Sequence, residues 1–180
     1  MTRLSSVAQK YILHWGEMGT RWGINRTVAQ ICALLYLSPT PMSAEEIAAT
    51  LSVARSNVST SLRELQSWGV VKVVHVLGDR RDHFESLKDV WEMFRVVMEE
   101  RKRREVDPTV EVLQQCLAEA TKGDSTDAHT KERIRAMLDF FETMTSLYEQ
   151  VRSVPTSALV KLLRSGVRLR KLLTLSPTKP

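Results

Sequence analysis

A mainly α-helical chain carrying one small β-hairpin is what the 180 residues predict. Apolar residues recur at three- and four-residue steps over most of the length, the period of helices with one buried face. A single stretch departs from that period: VVKVVHVL is β-branched, GDRR after it is turn chemistry, and DHFES can return as a partner strand. Prolines and glycines between the periodic segments set where elements end.

From Ser5 to Met18 the spacing of Val7, Ala8, Tyr11, Ile12, Trp15 and Met18 predicts an amphipathic helix, which GTRWGIN interrupts. The next, from about Arg26 to Leu37, is apolar nearly all round and should be central in the core. Pro39 and Pro41 stop it. Ser43 with Glu46 three residues on forms a capping box that starts a short helix with Ile47, Ala48 and Leu51 inward. After the break LSVARS a helix from about Ala54 to Trp68 must turn sharply against it, and Gly69 ends it. The hairpin follows. From Lys88 the pattern is helical again, with Val90, Trp91, Phe94, Val97 and Met98 expected inward and EERKRRE outward. A break is expected at Asp107 and Pro108, then helices over about Thr109 to Thr121, Thr130 to Val151 and Thr156 to Leu173. The predicted organisation is an N-terminal domain over 1–106, ending in a linker helix, and a C-terminal helical region over 107–180.

Hydrophobic content of 43 % and charged content of 26 % are ordinary globular values, which argues against a disordered chain. No stretch approaches the ~20 uninterrupted apolar residues of a bilayer span, and the start MTRLSSVAQKYILHWGEM lacks a signal peptide's apolar block. The expectation is a cytoplasmic protein without stable membrane insertion. Cys32 and Cys116 sit in apolar helical patterns and are expected as buried thiols, not a disulfide. A net charge of +5 and a pI near 9.4 mildly favour a polyanionic partner. There is no phosphate-cradling glycine loop, no Cys or His set at metal spacing and no serine in a nucleophile elbow. Glu45 and Glu46 are adjacent on a helix and point apart, so cap and surface roles suffice for them. No catalytic residue, metal or cofactor is expected.

Helix, tight turn, helix and two-stranded hairpin over roughly 45 residues is the layout of a winged helix-turn-helix. On a helical wheel Val58, Leu62 and Leu65 share one stripe, while Ser56, Ser59, Thr60, Arg63 and Ser67 take the opposite arc. Short hydroxyl side chains let a helix approach DNA closely while bonding phosphates and base edges, and Arg63 can reach a phosphate or the acceptors of guanine. A merely solvated face would more often carry Glu and Lys. Arg55 and Ser56 lie at the helix N-terminus, which favours a phosphate; Asn57 is either a base reader or a local cap. At the hairpin tip Gly78 and Asp79 are expected to make the turn. Arg80 and Arg81 then suit a narrow minor groove or flanking phosphates, against the alternative that one, Arg81 first, pairs internally with Asp79 or Asp82. Lys72 adds a phosphate contact. His75 and His83 are surface or packing residues before they are sensors.

SAEEIAATLSVARSNVSTSLRELQSWGVVKVVHVLGDRRDHFESLKDVWEMF resembles the winged-helix core of the MarR superfamily, and specifically its GbsR-type branch, as does the preceding GEMGTRWGINRTVAQICALLYLSPTPMS. The resemblance covers roughly the first 95 residues. It implies a homodimeric transcriptional regulator, bacterial or archaeal, that binds pseudo-palindromic operators and often represses transport or osmoprotectant genes. The C-terminal 75 or so residues carry only generic helical similarity, so an effector does not transfer.

Leu138, Phe141, Leu147, Tyr148 and Val151 offer a stripe that would be buried against a partner, which predicts a homodimer on an inverted-repeat site. The last helix places Lys161, Arg164, Arg168 and Lys171 against Leu159, Leu162, Leu163, Leu169 and Leu173. A packing helix with a solvated basic face is its plainest reading; an auxiliary phosphate contact and membrane-surface binding compete. The run Arg101 to Arg104 is likewise more often a solvated helix end than a DNA contact. The second functional class is an effector-sensing or protein-interaction module with weak or no specific DNA binding. For it, Trp15, Trp22, Trp68 and Trp91 with Phe94 could wall a pocket, even a cation–π site, although Trp at helical spacing is core far more often.

Overall fold

In this computed structural model residues 4–121 and 126–164 are described. The chain divides into two units, Met1–Glu100 and Arg101–Pro180.

In the first unit, helix α1 (Ser6–Arg21) starts where the Ser5 hydroxyl accepts from the Ala8 N–H at 3.2 Å. It lies against α2 (Arg26–Leu37). Two glycines set how closely. A Cβ on Gly19 would stand 2.5 Å from that of Ala29, and one on Gly16 2.7 Å from Cγ of Gln30. Ile12, Gly16 and Gly19 are therefore the buried positions of α1. Val7, expected inward, is 77 % exposed, and Trp15 is exposed as well; the glycines that turn the helix carry no apolar signal.

α2 is central, as expected: Val28, Ile31, Ala33, Leu34 and Leu35 are buried in a cluster with Ile12, Ile47, Val58, Leu62, Leu65, Val70, Val71 and Phe84. Its last carbonyls are closed from outside the helix. The Lys88 ammonium donates to the carbonyls of Leu35 and Ser38 at 2.7 Å and of Tyr36 at 3.1 Å, placing a cation at the negative end of the helix dipole.

The capping box forms. The Ser43 hydroxyl accepts from the Glu46 N–H at 3.3 Å, while the Ser43 N–H donates to the Glu46 carboxylate at 2.7 Å, opening α3 (Ala44–Leu51). Ser52 ends α3 in the left-handed region at φ 55°. A short turn leads to α4 (Arg55–Ser67). The sheet has three antiparallel strands: β1 (Met42–Ser43), β2 (Val71–His75) and β3 (Asp82–Ser86), in the order β1-β3-β2. Phe84 of β3 faces both Val73 and Met42 and is buried. The sequence predicts only the hairpin, because two residues ahead of a cap show no strand period.

α5 (Val90–Arg101) is capped by the Asp89 carboxylate, which accepts from the N–H groups of Trp91 and Glu92 at 2.7 and 3.0 Å. Its period is as expected and its phase is not. Met93, Val96 and Val97 pack on the core, whereas Val90, Trp91 and Phe94 are exposed.

In the second unit the expected break at Asp107 and Pro108 is a π-helical turn, Lys102–Val106, in which the Asp107 N–H reaches back five residues to the Lys102 carbonyl. Pro108 has no N–H to donate, so the turn before it widens and Pro108 falls in the first turn of α6 (Asp107–Thr121). Asp127 caps α7 (Ala128–Ser153), accepting from the Thr130 N–H at 2.9 Å. α7 packs on α6, with Gln114 Nε2 donating to Glu142 at 3.3 Å. Of the run Arg101 to Arg104, Arg101 pairs with Glu105 at 3.5 Å and Lys102 with Asp107 at 2.8 Å.

The stripe expected on α7 splits in two. Leu138, Phe141 and Tyr148 are half-buried, in line with Ile134 and Thr145. Leu147 and Val151 fall on an adjacent line with Met137, Phe140 and Met144, and these five remain 41 to 56 % exposed at alternating steps of three and four. α8 (Thr156–Arg164) follows. Arg168, Leu169, Lys171 and Leu173 lie outside the described residues, as do the side chains of Leu162, Leu163 and Arg164. Cys32 and Cys116 are free and only partly buried. Burial pushes the Cys32 thiol up to about 11. Among the described residues no helix is long and apolar enough to cross a membrane.

Candidate nucleic-acid interface

α4 divides its residues as the wheel predicts. Val58, Leu62 and Leu65 are 2 % exposed or less, and Ser61 is buried beside them. Arg55, Ser56, Asn57, Ser59, Thr60, Arg63 and Ser67 are all exposed. Burial of the apolar stripe against α2 and α3 fixes which side of the helix is left to solvent. The N-cap is Ala54, which has no side-chain acceptor to offer, so the first backbone N–H groups of α4 are not closed by a side-chain cap. Such a terminus attracts an anion. Arg63 reaches back to the Thr60 hydroxyl at 3.4 Å, a long and exposed contact that leaves most of the guanidinium to other acceptors.

The hairpin tip is built differently from the sequence expectation. The Asp79 N–H donates to the Val76 carbonyl at 3.1 Å, and Gly78 has φ +86°. Leu77 and Gly78 are thus the central pair of a type II turn, whose third residue requires positive φ. Asp79 is released for another task. Its carboxylate accepts from the Arg81 backbone N–H at 3.0 Å, from Arg81 Nε at 3.0 and 3.1 Å, and from Arg81 Nη2. These bonds to Arg81 hold the Asp79 carboxyl well below the usual carboxylate range.

Behind the turn, His83 is buried, its Nδ1 donating to the Arg81 carbonyl at 3.0 Å while Nε2 stands 3.6 Å from Asp79. Arg81 is therefore oriented from both its main chain and its side chain. His75 is an exposed surface residue, 4.0 Å from Asp82. Arg80 is exposed and makes no ion pair among the described residues.

Two more of the expected cations have acid partners. Arg55 meets Glu45 of α3 at 2.6 Å, and Lys72 meets Glu85 across the hairpin at 2.9 Å. The fields of Glu46 and Glu45 also reach Arg81. Glu45 at the N-terminus of α3 holds the first residue of α4, and Ser43, the α3 N-cap, lies opposite His83 in the sheet, two residues beyond Arg81, so the α3 N-terminus links α4 to the hairpin. Both pairs are substantially exposed and contribute little to stability. A phosphate can take over such a cation, because water already screens the acid. The ten-residue separation of Glu45 and Arg55 carries no sequence signal; only the sharp α3–α4 turn joins them.

Trp15, Trp22 and Trp68 wall a cavity of about 260 Å³ together with Tyr11, Tyr36 and Met93, and none of its lining residues is charged. Trp15 and Trp22 meet edge to face at 6.0 Å. Trp91 and Phe94 are not part of it.

The family model described as "MarR family" matches residues 22–82, which span α2, α3, α4 and β2 through the start of β3. A curated relative, the HTH-type transcriptional repressor GbsR of Bacillus subtilis (strain 168), is 24 % identical over 149 residues, 79 % of this chain and 82 % of the relative. A solved structure described as that of a transcriptional regulator superposes with a TM-score of 0.66 at 20 % identity, covering 81 % of this chain and 95 % of the other. At that identity the likeness is one of fold.

Proposed function

We propose that the chain is a GbsR-like member of the MarR superfamily, a transcriptional regulator that binds a specific duplex site as a homodimer and represses. What carries the reading is one arrangement: an exposed face of hydroxyls and Arg63 on α4, beside a hairpin whose Arg81 is already oriented by Asp79. In the proposed complex Ser56, Asn57, Ser59, Thr60 and Arg63 enter the major groove, with Arg55 at a phosphate near the helix N-terminus. Arg80 and Arg81 lie at the minor groove, and Lys72 at the backbone. Arg55, Lys72 and Arg81 bring their own counter-charges, so their contribution is smaller than that of a bare cation. Arg63 and Arg80 carry the larger electrostatic share.

Residues 1–106 form the DNA-binding domain in this reading, and 107–180 the dimerisation region. The bare line of α7, Met137 to Val151, is the proposed self-contact. Two-fold symmetry would set the paired α4 helices about 34–36 Å apart and demand an inverted repeat. The repressor role draws on the relative's name.

The test is an anisotropy titration on a duplex recovered from genomic fragments. Arg63→Ala should cost about 1–3 kcal/mol and relax preference at one base pair. Equal affinity for every duplex, before and after that substitution, would remove the reading. A second reading, an effector-sensing module with weak or no specific DNA binding, draws on the aromatic cavity; it expects no retained duplex at physiological salt.

A further inference from the structure

Leu77 has the largest fractional exposure of any bulky apolar side chain among the described residues, at 104 %, with Val76 beside it at 40 %. It sits at the tip of the hairpin, three residues before Arg80, an exposed cation with no acid partner among the described residues. The type II turn puts Leu77 at the apex, ahead of Gly78, and Arg80 and Arg81 follow within four residues. The Val76–Asp79 hydrogen bond and the grip of Asp79 on Arg81 keep that apex from folding back.

We propose that Leu77 is a wedge, entering the minor groove beside the recognition site and sliding between two base pairs, so that one step unstacks and the duplex kinks. The inference rests on the DNA-binding reading above and goes beyond it, because it assigns a role to a residue that makes no polar contact. Charge decides the occupant. An apolar tip followed by the unpaired cation of Arg80 and the Asp79-held Arg81 is drawn to a polyanion, and phosphates satisfy the arginines while offering nothing to Leu77. The apolar surface within reach is then the face of a base. Only the turn has to enter: the Leu77 side chain, not the paired strands, reaches into a minor groove ~6 Å wide. Branched aliphatic side chains are a recurring choice for this kind of insertion. Pyrimidine–purine steps unstack most readily, so the wedge adds a preference for TA or CA at a position read without hydrogen bonds.

The experiment uses the full chain and a duplex selected by it from genomic fragments, with 2-aminopurine placed at successive steps beneath the hairpin and a fluorophore pair at the ends. The wild type should raise 2-aminopurine emission at one step and shorten the end-to-end distance. Leu77→Ser should abolish both and weaken binding about tenfold. Its salt dependence should stay unchanged, since phosphate contacts remain, and so should its melting temperature. Leu77→Phe should restore the emission and the bend. If Leu77→Ser matches the wild type, or loses affinity without losing the emission change, the wedge is refuted while DNA binding stands. If the wild type retains no duplex at all, the DNA-binding reading falls, and the wedge with it.

Discussion

Phe140 is the most exposed of the five apolar residues aligned on α7, at 56 %. Replacing it with alanine measures what that line does. An aromatic side chain presents about 150–250 Å², so roughly 100 Å² per protomer is left for a partner to cover, and about 200 Å² across a two-fold contact. At ~25 cal/mol per Å² the ceiling is about 5 kcal/mol. Alanine keeps its Cβ and the free helix covers part of the ring by side-chain motion, so about 3 kcal/mol is the expected loss. That is roughly a hundredfold rise in the dimer dissociation constant. Sedimentation equilibrium over a dilution series reads it directly. Leu138→Ala provides the contrast: it lies on the half-buried line of α7, so it should lower the melting temperature first. An unchanged dissociation constant for Phe140→Ala, or a wild type that is monomeric at tens of micromolar, would refute this assignment of the α7 surface.

Other expectations concern charge, capping and packing. Arg80→Ala should reduce the slope of log affinity against log salt by about one, whereas Arg81→Ala should reduce it less because Asp79 already offsets that cation; equal slopes for all three proteins would contradict the hairpin assignment. The Ser43 backbone N–H, and then its hydroxyl, hold the Glu46 carboxyl below its usual range. The stability this lends is full above the unfolded carboxyl value near ~4.3 and is lost as pH falls through the lower folded one, so wild type and Glu46→Gln should converge in melting temperature on acidification. Ser43→Ala should cost about 1 kcal/mol in urea denaturation, the usual weight of a cap. Gly19→Ala should cost about 1–3 kcal/mol by driving α1 off Ala29, with a normal melt disproving the close contact.

Local signals were legible where they repeat or pair within a few residues. The all-round apolar character of α2, the Ser43–Glu46 box and the Val58, Leu62, Leu65 stripe follow from side-chain chemistry at fixed spacing, and the structure places them accordingly. The phase of α5 was not legible: Val90, Trp91 and Phe94 are as apolar as Met93, Val96 and Val97, and only the fold decides which trio faces the core. In α1 the deciding residues are glycines, which add nothing to an apolar count. At the hairpin tip GDRR reads as a turn, but the turn closes one residue earlier, freeing Asp79 for Arg81 and exposing Leu77. The Arg55–Glu45 pair depends on an angle between helices that no spacing encodes.

Sequence-specific duplex binding is measured by incubating the purified protein with fragmented genomic DNA at physiological salt and sequencing what it retains. A dimer reading the major groove through α4 should enrich one motif with two-fold symmetry, its half-sites centred about 10 base pairs apart, and lose that enrichment when Arg63 is replaced by alanine. Retention of no fragments, or of fragments that share no symmetric motif, would contradict it.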